Sequence, residues 1–132
     1  MSQKNNVAML KVFLVVYAVI CLIYGLGFLF VPGTWVRLSE SGPADYGWLR
    51  WPGGVLIALA IGALKVYRKP EKQGTFVFSI ALGTLLAGLG MLYSLIRTEY
   101  TGTTMFITIP TVLILVVSGF LWWGKQRAKS IL

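Results

Sequence analysis

The sequence predicts an all-α integral membrane protein, a four-helix bundle with both termini on the cytoplasmic side. Three observations carry that reading. Long uncharged intervals alternate with short charged ones: no Asp, Glu, Lys or Arg lies between Lys11 and Arg37, Arg50 and Lys65, Lys72 and Arg97, or Glu99 and Lys125. Three of these intervals run about 25 residues, enough for a helix of about 36 Å against a hydrocarbon core of about 30 Å. Composition agrees, since 57% of the 132 residues are hydrophobic and 12% charged, with a mean hydropathy of +0.77, far from a soluble domain. The net charge of +8 is also placed asymmetrically. Lys4 and Lys11, the middle loop with Lys65, Arg68, Lys69 and Lys72 against Glu71, and the tail with Lys125, Arg127 and Lys129 together carry all of it. The other two loops balance, with Arg37 and Arg50 against Glu40 and Asp45, and Arg97 against Glu99. The positive-inside rule then places the termini and the middle loop in the cytoplasm and the neutral loops outside, in a bacterial-type inner (plasma) membrane.

One transmembrane domain covers the chain, with spans at about 7–31, 48–67, 74–96 and 103–124. The first ends where Pro32 and Gly33 stop the helix. Its apolar run is too long for a signal-peptide core and no small-x-small cleavage site follows it, so it is expected to be retained. Cys21, the single cysteine, lies near its middle as a small packing residue. Trp35, Val36 and Leu38 then alternate with polar residues in the outer interface, before a turn at Ser41, Gly42 and Pro43.

The second interval, about 14 residues between Arg50 and Lys65, covers only about 21 Å. Extending that helix to Trp48 and Tyr67 gives it adequate length, puts Arg50 at the outer interface and lets Lys65 and Arg68 snorkel inward. Pro52 then lies in the first turn or kinks a helix that starts earlier. The third span follows Pro70 and the basic turn. Pro110 falls inside the fourth, which is expected to be full-length and kinked. Trp48, Trp51, Tyr93 and Tyr100 mark the outer interface, and Tyr67, Trp122 and Trp123 the inner one.

Helices in lipid associate through close packing of small residues, so stripes of them mark expected contacts. Gly54, Ala58 and Gly62 form one on the second span, Ser79, Gly83 and Ala87 another on the third, and Ala18, Cys21 and Gly25 a weaker one on the first. The second and third spans, joined by a short turn, are expected to pack closely.

With no histidine, one cysteine and four carboxylates, all four in predicted loops, a zinc site, a haem histidine pair, a Cys-x-x-Cys centre and a Ser-His-Asp triad are excluded within the chain. No catalytic residue, metal or cofactor is expected. The basic residues fall at helix ends rather than in one stripe, which argues against nucleic acid and for anionic membrane lipid as partner. No intramembrane carboxylate supports proton-coupled transport.

Polar groups gather at the outer face. Arg50, flanked by Trp48 and Trp51, shares that layer with Asp45 and Glu99. In one reading Arg50 reaches a lipid phosphate or pairs with Asp45 or Glu99. In the other, it binds the anionic or carbonyl head of a lipophilic molecule, with the tryptophans stacked on it. Only the second needs a cavity behind Arg50.

Tyr24-Gly25-Leu26-Gly27 leading to Pro32, then Leu49-Arg50-Trp51-Pro52-Gly53-Gly54 and Leu59-Ala60-Ile61-Gly62, give the first half of the chain a pattern that resembles the DoxX-like group of small bacterial four-helix membrane proteins. The resemblance implies a four-helix membrane bundle. Some relatives in that group are associated with quinone-linked oxidation of sulfur compounds or with redox complexes; this chain lacks a cysteine pair for thiol chemistry, and Arg50 and the following glycines are the positions carried over. The expected function is a non-catalytic accessory or scaffolding subunit beside other membrane-protein subunits. The alternative is a membrane protein that binds or carries a lipid, quinone or other lipophilic molecule in an outward-facing cleft near Arg50. An apolar cavity would favour the second, a tightly packed interior the first.

Overall fold

The computed structural model describes residues 2–42 and 45–132. Among the described residues the chain is all-α, with four helices long and apolar enough to cross a membrane: α1 (Gln3–Phe30), α3 (Tyr46–Arg68), α4 (Gly74–Arg97) and α5 (Met105–Arg127). A short helix, α2 (Pro32–Ser39), lies between the first two of these. The protein is a multi-pass membrane protein with four candidate spans.

α3 and α4 cover their expected spans, whereas α1 ends one residue before 31 and α5 begins two residues after 103, and the boundaries have local causes. α1 starts earlier than the apolar run because the Ser2 hydroxyl accepts the Asn5 N–H at 3.3 Å, capping a polar first turn. Val31 is its C-cap, and Pro32, expected only as a stop, is also the first residue of α2. Its missing N–H costs nothing there and its fixed φ suits a first helical position. Asp45 caps α3, accepting the Gly47 N–H at 2.8 Å, so that helix starts two residues ahead of the expected span and Pro52 lies inside it. Pro110 likewise lies inside a full-length α5. The turn expected over 41–43 reaches Pro43, which lies outside the described residues.

Around the bundle the order is α3, α1, α5, α4, and the ring is left open between α3 and α4. The tightest seam is α1 against α3. A Cβ at Gly53 would stand 2.7 Å from the Leu29 nitrogen and 2.9 Å from the Gly25 oxygen, so only glycine allows this backbone approach. Away from α2 the seam continues through buried Leu10, Leu14 and Ala18 on α1 and Ala60, Ala63 and Val66 on α3. α5 joins α1 through Phe13 stacked on Phe120, ring centroids 4.9 Å apart, and through Gly124 beneath Phe13 and Leu10. α4 lies on α5, with Gly88 against Leu115 and the Ser118 hydroxyl donating to the Ala81 carbonyl at 3.3 Å.

The expected close packing of the second and third spans is therefore corrected: α3 and α4 meet mainly where the Phe76 ring covers Gly62, beside their connecting turn. The physical reason is which face of α3 is buried. Gly53, Ala60 and Ala63 are buried against the bundle, whereas Ala58 is exposed and a Cβ at Gly54 would meet nothing within 4 Å. On α4, Ser79, Gly83 and Ala87 are all exposed, and burial belongs to Val77, Ile80, Ala81 and Gly88, which turn toward α5. The weaker stripe on α1, Ala18, Cys21 and Gly25, is the buried one.

Candidate functional site

The opening between α3 and α4 leads into a cleft of about 700 Å³, walled by all four long helices and bounded at one end by α2. That volume lies within the range of about 300–1,000 Å³ typical of small-molecule sites. Along α4 its wall extends from Phe76 to Met91, about 22 Å at 1.5 Å per residue. Ser79, Gly83 and Ala87 face this space, so the small residues of α4 widen a cleft instead of admitting a neighbouring helix. The opposite wall comprises Tyr17, Ile20, Cys21 and Tyr24 of α1, and the sides are Leu56 and Leu59 of α3 and Ile114 and Val117 of α5.

Hydroxyls within the span do not make this wall strongly polar. Ser79 donates to the Thr75 carbonyl at 2.9 Å and Thr84 to the carbonyls of Ile80 and Ala81, each satisfied by its own helix. Among the described residues, the lining of the cleft contains no Lys, Arg, Asp or Glu, and no group of three or more His, Cys, Asp or Glu side chains gathers as a metal site.

The α2 end is covered. Trp35 of α2 lies on α1, its ring 5.1 Å from Tyr24 and 5.4 Å from Phe28, in a recess that exists because residue 27 is glycine; a Cβ there would fall inside the indole. Beyond α2, the two loops are laced together. The Thr103 N–H donates to the Ser39 carbonyl at 2.8 Å, the Gly42 N–H to the Thr101 hydroxyl at 3.3 Å, and the Thr103 hydroxyl to Glu40 at 3.3 Å. Glu40 ends α2 in the left-handed region, and Gly102, at φ 87°, packs its α-carbon onto Ser39. Trp35, Val36, Ser39, Ser41, Thr101 and Thr103 thus form a roof, and the cleft opens sideways, between α3 and α4.

The residues expected to form an outer-face site lie elsewhere. Arg50 Nη1 donates to the Leu29 carbonyl at 2.8 Å, capping the end of α1 where helix carbonyls lack partners and the dipole favours a cation. Asp45 serves as the α3 cap, Trp48 and Trp51 are 70% and 60% exposed, and Glu99 is exposed past the end of α4. None of the five lines the cleft, although Leu49, the immediate neighbour of Arg50, does. Sequence reasoning missed the aromatic recess, for which Gly27 followed by Trp35 was the available signal. Arg50→Ala is accordingly expected to lower stability by about 1–2 kcal/mol through the lost cap, as measured by denaturant titration in detergent.

Compared with family models, curated proteins and solved structures, the chain has no match.

Proposed function

We propose that the protein binds a lipophilic molecule within the membrane, in the cleft between α3 and α4, as a non-catalytic binding or carrier protein. The observation that carries this reading is a roofed apolar cleft of about 700 Å³ opening toward the lipid-facing side of the bundle. A molecule dissolved in the bilayer reaches it by lateral diffusion without crossing water. In a bundle built only to hold other subunits, the small residues of α4 would be expected to close against α3. The accessory-subunit reading draws on the same exposed wall of Ser79, Gly83 and Ala87, onto which a partner helix could pack. Such a helix, about 10–12 Å across with its side chains, would cover the mouth without filling a cleft that reaches Tyr17 and Cys21 of α1.

The motif that resembles the DoxX-like group supports the bundle more than the ligand, since Arg50 and Gly53 fasten α3 to α1. The charge asymmetry supports cytoplasmic termini in a bacterial-type inner membrane, with the roof of the cleft on the outer side. A cysteine introduced by Ser130→Cys is then expected to react with an impermeant maleimide only after the membrane is opened; labelling of intact cells would reverse the orientation. The functional test is native mass spectrometry of protein gently extracted from its membrane, followed by organic extraction of the retained molecule. One reproducible lipophile at near one per chain is the expected result. A spectrum showing only the bulk lipid distribution, or co-purifying membrane proteins with no small molecule, would overturn the binding reading.

A further inference from the structure

Resting on the proposal that the cleft holds a lipophile, we infer that its ligand is uncharged, with a compact hydroxyl- or carbonyl-bearing head held beneath the α2 roof and a hydrocarbon body along α4. The polarity of the wall is graded. At the α2 end Ser39, Ser41, Thr101 and Thr103 contribute hydroxyls, whereas along the rest of the wall Ser79 and Thr84 are bonded to their own helix and the Tyr17 and Tyr24 phenols and the Cys21 thiol stand among Leu59, Phe76, Ile80 and Val117. The roof hydroxyls are incompletely used. Thr101 Oγ1 accepts from Gly42, and among the described residues its own proton has no acceptor, so it remains a donor. Thr103 donates to Glu40 and keeps its lone pairs as acceptors. Donors and acceptors are therefore both present, matching a head that can accept, donate or do both.

A charged head has no comparable place. Among the described residues no cationic or anionic side chain lines the cleft, and Arg50, beside the lining residue Leu49, is turned to the Leu29 carbonyl. Glu40, the carboxylate at the roof, is exposed and accepts the Thr103 hydroxyl from outside the lining. An unpaired charge drawn from water into an apolar cleft within the membrane is strongly disfavoured. Ligand class thus follows from which groups were left out of the lining as much as from those included.

The test uses the full chain in lipid nanodiscs with three photoreactive probes sharing one hexadecyl chain and one diazirine near its end: an alcohol, a sulfonate and a trimethylammonium. Labelled peptides are mapped by mass spectrometry, and site occupancy is titrated against the unlabelled compounds. Saturable labelling of the α4 wall by the alcohol, at an affinity at least about tenfold above either charged probe, is the expected result. Equal or tighter labelling by the sulfonate or the ammonium would overturn the uncharged class while leaving the cleft a lipophile site. Labelling that no probe saturates would overturn the site itself, and the inference with it.

Discussion

Gly53→Ala is expected to destabilise the bundle by about 2 kcal/mol, whereas Gly54→Ala, one residue away, stabilises it by up to about 1 kcal/mol. Alanine is the better helix former at both positions, so intrinsic propensity predicts the same sign for the two. Position 53 reverses it because the new methyl would meet backbone on three sides, at 2.7 Å from Leu29 N, 2.9 Å from Gly25 O and 3.1 Å from Phe28 C. No rotamer change relieves a clash with backbone, so α1 and α3 must move apart, carrying with them the Arg50 cap on Leu29 and the seam of Ala60, Ala63, Leu10 and Leu14. At position 54 the methyl meets nothing within 4 Å. Unfolding of both variants by denaturing detergent measures the difference directly. Equal effects at 53 and 54 would remove the backbone contact between α1 and α3 and, with it, the ring order that leaves the α3–α4 side open.

Those neighbouring glycines also show where the sequence stops being legible. Charge-free intervals locate the four long helices, because the bilayer demands their length, whereas Pro52 and Pro110 lie inside α3 and α5 and mark no boundary. The face each helix buries leaves a fainter trace. In a soluble helix the buried stripe is apolar and the exposed one polar, but Trp51, Val55 and Ile61 of α3 are exposed and as apolar as anything inside. Small-residue spacing is then the remaining signal, and α3 carries two such stripes. Gly54, Ala58 and Gly62 lie four apart, while Gly53, Ala60 and Ala63 are separated by seven and three, and only the latter set is buried. The α4 stripe is ambiguous for another reason, since small residues permit either a close helix or a space. Arg50 among aromatics reads naturally as a ligand group, yet its partner is a carbonyl on α1, a contact of tertiary structure with no local pattern to announce it.

If the space along α4 is a binding cleft, Gly83→Leu should empty it without harming the fold. Gly83 lies midway between Phe76 and Met91 on the wall, it is exposed, and a Cβ there meets nothing within 4 Å, so a leucine side chain projects into the cleft unopposed. Replacing a mid-helix glycine raises helix propensity by up to about 1 kcal/mol, and stability is expected to hold or rise. The ligand then loses the middle of its contact surface, and affinity for a hexadecyl alcohol probe should fall at least about tenfold. Ala58→Leu is the matched control, adding comparable bulk to the exposed face of α3, where no loss is expected. Stability and binding measured together separate the alternatives. Retained affinity in Gly83→Leu would place the ligand off the α4 wall. Loss of a co-purifying membrane protein, with the hexadecyl probe bound as before, would instead identify the stripe as a seat for a partner helix. A fall in both stability and affinity would mean that α3 and α4 close against each other in the bilayer, because only a closed interface makes the added leucine a clash.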